Sequence, residues 1–257
     1  MWQGYFLSGS AAFRFFRYLC SMANPFFQFK QFKVGQERCG MKVSADACVL
    51  GAFTRLPSAG RILDIGAGTG LLSLMLAQSH PNAFIDAVEL DQQAYEQAKE
   101  NIAASPWTDR IELHPCAIQE FKPAQPYDLI ITNPPFYPSH LPSSDPKRKL
   151  AFHQESLDFP ALVKACATML AADGICSVLL PVRQAKEFSS MATDFGLYPL
   201  HELLLYHSPG HPPHRSITLY HRHQTKSPSV DRLFVRLNDN SYSPAYQQLL
   251  QPYYTIF

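Results

Sequence analysis

The chain has 257 residues, 46% of them hydrophobic, which is material for one sizeable core slightly above the usual single-domain length. A net charge of +1 excludes recognition of any partner by total charge, so only the distribution of charge along the chain is informative. No apolar run approaches the length of a membrane span, and Ser8, Ser10, Arg14 and Arg17 interrupt the N-terminal stretch before it reaches signal-peptide length. The expectation is a cytoplasmic protein: an N-terminal extension, residues 1–24, without fixed structure, then one domain over 25–257, with no basis for an oligomer beyond the default monomer.

In chain order, Phe27-Gln28-Phe29-Lys30-Gln31-Phe32-Lys33 alternates aromatic with polar or charged residues, the period of a strand. Ser44 then precedes apolar residues at helical spacing through Phe53 and reads as an N-cap. Arg61 to Ile65 is a strand, followed by the glycine-rich turn Gly66-Ala67-Gly68-Thr69-Gly70 and a helix through Leu71 to Leu76. Phe84 to Glu89 is a second strand, Gln92 to Ala103 a helix, Ile111 to Leu113 a short strand, and Asp128 to Thr132 an apolar strand. Residues 137–155 are rich in Pro, Ser and charge and read as a long loop. Helices are expected over 157–171 and 184–195, and strands over 174–180, 198–206 and 216–222. Strands alternating with helices predict an α/β fold, a doubly wound and mostly parallel sheet.

Two turns carry the chemistry. Glycines let the backbone of the first pass close to a ligand and aim N–H groups at it, and Glu89, about 20 residues on, stands where an acid grips ribose hydroxyls. A nicotinamide dinucleotide would fit that turn, but Asp64 at the strand end would repel a nearby pyrophosphate and suits a ligand with a cationic amino acid part, as in S-adenosylmethionine. Asp64 reads equally well as an anchor for the following helix. The second turn is Asn133-Pro134-Pro135-Phe136: the prolines remove two donors and fix φ, so the corner offers an amide and bare carbonyls beside a flat ring. A planar amine could donate one hydrogen to Asn133 and one to the Pro134 carbonyl while stacking on Phe136.

Together with Phe29-Lys30-Gln31-Phe32, Arg38-Cys39-Gly40-Met41-Lys42-Val43, Ser105-Pro106-Trp107 and Tyr242-Ser243-Pro244-Ala245-Tyr246, these turns resemble one bacterial family, the valine-tRNA adenine N6-methyltransferases. The resemblance runs from about Phe26 to the C-terminus. It implies a class I methyltransferase fold with a seven-stranded sheet containing one antiparallel strand, S-adenosylmethionine as methyl donor, and tRNA as substrate, modified at the adenine beside the anticodon. By that resemblance Asp64, Gly66, Ala67, Gly68, Gly70, Glu89, Leu90, Ala117, Ile118 and Asn133 hold the cofactor, and Asn133, Pro134, Pro135 and Phe136 carry catalysis. There is one departure: the position that holds the cofactor's adenine amino group is usually an acid and here is Ala117, leaving backbone N–H groups, Gln119 or Glu120 for that role.

Basic residues cluster in two regions, around Lys30, Lys33, Arg38 and Lys42, and over 203–226, which holds Arg215 and five histidines but no carboxylate. Lys147-Arg148-Lys149 adds a third group after the Asn133 corner. Lys42, Tyr137, Lys147, Arg148, Lys149 and Arg215 are therefore the expected substrate contacts. Of the six cysteines none has a partner at metal-ligand spacing, and His211 and His214 lack one too, so no metal is expected. Methylation of rRNA, DNA or a protein glutamine uses the same corner and remains an alternative, as does an RNA-binding scaffold that has lost its cofactor.

Overall fold

A computed structural model describes residues 24–135, 159–224 and 226–257. The 1–24 extension, Phe136, Tyr137, Lys147, Arg148 and Lys149 lie outside the described residues, apart from Asn24.

Helices begin where the sequence supplies an acceptor for orphan N–H groups. Ser44 accepts from Ala47 N at 3.2 Å to start α1, Ala45–Phe53. Asp91 accepts from Ala94 N at 2.8 Å to start α3, Gln92–Ala103. Ser243, followed by proline at the first helical position, starts α6, Pro244–Leu250. Between them lie α2 (Leu71–Ser79), α4 (Phe159–Met169) and α5 (Val182–Asp194).

A short hairpin, β1 (Phe26–Gln28) and β2 (Lys33–Gly35), precedes an eight-stranded sheet. Its strands are β3 (Arg61–Ile65), β4 (Phe84–Val88), β5 (Ile111–His114), β6 (Tyr127–Thr132), β7 (Leu170–Leu180), β8 (Tyr198–Tyr206), β9 (Arg215–His221) and β10 (Ser229–Phe234). The spatial order is β10-β8-β9-β7-β6-β3-β4-β5. Only β9 runs antiparallel to its neighbours, as expected for the family's single reversed strand. The seven predicted strands thus form one continuous series, and β10 is an addition: it lies parallel to β8 at the edge. Its first four residues are exposed, which is why no apolar alternation marked it in the sequence.

Helices cover both faces. Leu50, Leu74, Met75, Tyr246 and Leu250 pack on one; Leu162, Cys166 and Phe188 pack on the other. A sheet buried on both sides needs strands apolar on both sides, so Ile62 to Ile65 and Leu129 to Thr132 are buried without alternation. The chain steps outward from β3 to β5 and then returns to β6 on the other side of β3. The carboxyl ends of β3 and β6 therefore flank a topological switch point, where open α/β sheets hold their ligands.

Candidate active site

Pairing of Ile65 with Thr132 makes Gly66 and Asn133 the first residues past two adjacent strand ends. Thr132 Oγ1 donates to Ile65 O at 2.9 Å and locks those ends together. Beyond β3 the backbone turns through three glycines in the left-handed region, Gly66 (φ 74°), Gly68 (φ 56°) and Gly70 (φ 77°), a path closed to most side chains. A Cβ placed on Gly66 would meet nothing within 4 Å, so this part of the turn faces open space. Gly66 N and Ala67 N donate to Val88 O at 2.9 and 3.1 Å, which ties the turn to the end of β4.

Asp64 is fully buried in β3. Its Oδ2 accepts from the Ser73 hydroxyl at 2.6 Å and from Ser73 N at 3.1 Å, while Oδ1 has no partner. One oxygen anchors the first turn of α2, as one of the two sequence readings expects, and the other has no partner among the described residues. Burial pushes its carboxyl up to about 6, against the pull of the Ser73 bonds. Asn133, half-buried, likewise has an Oδ1 in a buried position without a partner. Pro134 beside it is buried and Pro135 half-buried. Two orphaned buried acceptors on adjacent strands are a costly arrangement for a protein with nothing to place there.

Glu89 follows β4 and closes on the glycine turn: Oε2 accepts from Gly68 N at 2.7 Å and Oε1 from Asp91 N at 2.8 Å. A carboxylate has lone pairs to spare beyond these, enough for ribose hydroxyls. Leu90 beside it is 58% exposed, an apolar surface next to the glycine turn that suits a flat ring. At the end of β5 the Ala117 carbonyl accepts from Glu120 N and Phe121 N, whereas Ala117 N and Ile118 N donate to nothing among the described residues. Backbone donors are thus free where the family's usual acid is missing.

The chemistry of these groups fits S-adenosylmethionine: Asp64 Oδ1 would take its ammonium, Glu89 its ribose, and Leu90 with the Ala117 and Ile118 backbone its adenine. Glu89→Ala removes at least one charge-assisted bond, about 1.5–3 kcal/mol, and is expected to weaken cofactor binding more than tenfold. Titration calorimetry giving an unchanged affinity would refute the ribose role.

The expected substrate contacts fare unevenly. Lys42 is exposed and has no carboxylate partner among the described residues. Arg215 is on the same rim as Asn133, because β9 starts beside the end of β7, but its Nε pairs with Asp46 Oδ2 at 3.6 Å. Lys30, Lys33 and Arg38 are exposed and have partners within the protein's own surface. Lys30 Nζ donates to Gln251 O and Phe257 O, Lys33 lies over the Phe26 ring at 3.7 Å, and Arg38 pairs with Glu100 at 2.5 Å.

Sequence reasoning missed Asn101. Buried on α3, its Nδ2 donates to Thr69 O at 2.8 Å and Gly35 O at 2.9 Å, and its Oδ1 accepts from Gly35 N at 2.8 Å. One side chain thereby joins the glycine turn to the N-terminal hairpin. The available signal was an asparagine inside a helix, where it is a poor choice on propensity alone. Also unforeseen is the cluster of Asp86, Glu112 and His114. Asp86 is already satisfied there by His114 at 2.9 Å, Tyr127 at 2.7 Å and Arg61 at 3.1 Å, an ion-pair network between strands.

A methyltransferase small-domain family model matches residues 45–150. The chain is 42% identical over 237 residues to the tRNA1(Val) (adenine(37)-N6)-methyltransferase of Dyadobacter fermentans, covering 91% of this chain and 99% of that protein. It is 38% identical over 231 residues to the enzyme of the same name from Flavobacterium johnsoniae, covering 89% and 98%. Among solved structures, a predicted O-methyltransferase from Agrobacterium tumefaciens superimposes with a TM-score of 0.61 at 18% identity, covering 80% of this chain and 96% of that one, which establishes the fold. With a glycine turn, strand-end acids and an Asn-Pro-Pro corner in the arrangement above, and identity at this level over nearly the whole length of both relatives, the chain belongs to the tRNA1(Val) (adenine(37)-N6)-methyltransferase family.

Proposed function

We propose that this protein methylates the exocyclic N6 of adenine 37 in valine tRNA, using S-adenosylmethionine, and that it does so as a single cytoplasmic domain spanning residues 25–257. The observation that carries this reading is the unpartnered, buried Oδ1 of Asn133, one strand away from the unpartnered Oδ1 of Asp64.

An adenine amino group is a weak nucleophile because its lone pair is delocalised into the ring. Asn133 Oδ1, with the Pro134 carbonyl, accepts its two hydrogens, favours a pyramidal nitrogen with a localised lone pair, and stabilises the positive charge that grows there during attack. Bound S-adenosylmethionine would supply an electrophilic methyl group, its sulfonium–methyl bond breaking to leave the neutral thioether S-adenosylhomocysteine while the methylated N6 loses one proton to solvent. Asp64 and Glu89 fix the cofactor's position, and holding both reactants in line accounts for the rest of the acceleration. No covalent nucleophile is required. The target base must leave its stack in the anticodon loop, and only an amine reaching the floor of the crevice meets Asn133.

The test is methyl transfer from labelled S-adenosylmethionine to a valine tRNA transcript, followed by nucleoside mass spectrometry. N6-methyladenosine is expected from the adenine-37 transcript and is absent when position 37 is guanine. Methyl groups recovered on another nucleotide, or only on protein, would overturn the assignment.

A further inference from the structure

A second feature lies on the same rim, at the far side of the sheet. The carboxyl ends of β8 and β10 enclose a cavity of about 510 Å³ lined by His207, His211, Arg236, Asn238 and Asn240 among others. It shares the rim with the active site because the end of β8 pairs with the start of β9, which pairs with the end of β7 next to β6. Three strand spacings separate β8 from β6, ~14 Å.

Two flat stacks form its wall. The His207 ring lies on the His214 ring with centroids 4.1 Å apart and planes within 5°, and His214 Nε2 is fixed by Asp46 at 3.1 Å. The Arg236 guanidinium lies over the Tyr242 ring at 4.1 Å, with Nη1 donating to Asn240 O at 2.5 Å. The outer member of each stack, His207 and Arg236, lines the cavity, and Arg236 N donates to His207 O at 2.8 Å, holding the two at a fixed spacing. Asn240 closes the loop with φ 65°, an uncommon conformation for a residue with a side chain. The Arg236 Nε and Nη2 make no hydrogen bond among the described residues. Neighbouring acids are engaged: Asp46 by His214 and Arg215, Asp239 by the Ser241 N–H and hydroxyl at 3.0 and 2.6 Å.

A preorganised guanidinium with open donors, imidazoles and amides in a polar cavity match a phosphodiester, and flat faces beside it match an unstacked base. We propose that this cavity is a second RNA-docking subsite, which grips the backbone of the tRNA at a distance from the methylated base. The inference rests on the tRNA reading above and adds to it where the RNA is held.

The experiment measures binding of labelled valine tRNA to the full chain by fluorescence anisotropy across a salt series. The pair H207A/R236A is expected to weaken tRNA binding at least tenfold and to lower the salt slope by about one, with calorimetric affinity for S-adenosylmethionine unchanged. R236K, which keeps the charge and loses the planar fork, is expected to fall in between. A folded double variant with wild-type affinity and slope overturns the subsite. Should that variant not fold, Asn238→Asp carries the test, since Asn238 is exposed on the cavity wall and a carboxylate there repels phosphate: weaker binding supports the subsite and unchanged binding overturns it. Wild-type protein that binds no tRNA at all is a separate failure, of the proposed function itself.

Discussion

Asn133→Ala is expected to reduce methyl transfer on the order of a hundredfold or more while leaving S-adenosylmethionine affinity nearly unchanged. The orphaned Oδ1 contributes most when charge develops on the attacking nitrogen, so its removal falls on the chemical step. The alanine also relieves the free protein of a buried unsatisfied acceptor, so it should not lower the melting temperature. Asn133→Asp keeps an acceptor and should recover part of the lost rate. Single-turnover methylation of tRNA, with calorimetry for the cofactor, separates these effects. Turnover by the alanine variant near that of the wild type would leave the amine-gripping corner without support.

Cofactor binding is expected to weaken as pH falls below about 6, because Asp64 is then protonated and offers no charge to an ammonium group. The sign for stability is opposite. The folded-state value, about 6, lies above the ordinary 3.8, so the ligand-free fold binds more protons than the unfolded chain between these values. Its stabilisation by this group is complete below pH 3.8 and is lost as pH rises through about 6. Ligand-free melting temperature and cofactor affinity should therefore move in opposite directions over that window. Asp64→Asn should remove both trends and, having lost the charge, bind the cofactor over tenfold more weakly at pH 8. Calorimetry and thermal melting from pH 4 to 8 provide the check, and parallel pH profiles for variant and wild type would exclude Asp64 from the cofactor's ammonium.

The parts of the site legible in sequence were those where backbone geometry restricts the residue type. Only glycine passes freely through Gly66, Gly68 and Gly70, and an uninterrupted apolar run ending in Asn-Pro-Pro marks a buried strand and its corner. Helix α3 was read to the residue, because Asp91 caps its start and its apolar spacing is regular. The start of β7 differs: the structure carries the strand back through Ala172 and Ala171 to Leu170, where the sequence predicts a helix as far as Ala171 and a strand only from Gly174. Those alanines favour helix, and pairing of Leu170 with Tyr127 overrides them. The role of charges was least legible. Lys30 belongs to a basic cluster in the sequence, and its partners Gln251 and Phe257 lie 221 and 227 residues away. A charge count has no access to contacts at such separations.

Those contacts bear on how the molecule comes to be. Phe29 bridges Tyr254, Lys30 N donates to Tyr253 O, and Asn101 passes the hairpin's position on to Thr69 in the glycine turn. During synthesis the central strands can pair as they emerge and Asn101 can hold Gly35, but the hairpin gains its contacts with Tyr253 and Tyr254 only once the C-terminal residues leave the ribosome. The C-terminal residues thus add a late brace to a hairpin that Asn101 already ties to the glycine turn.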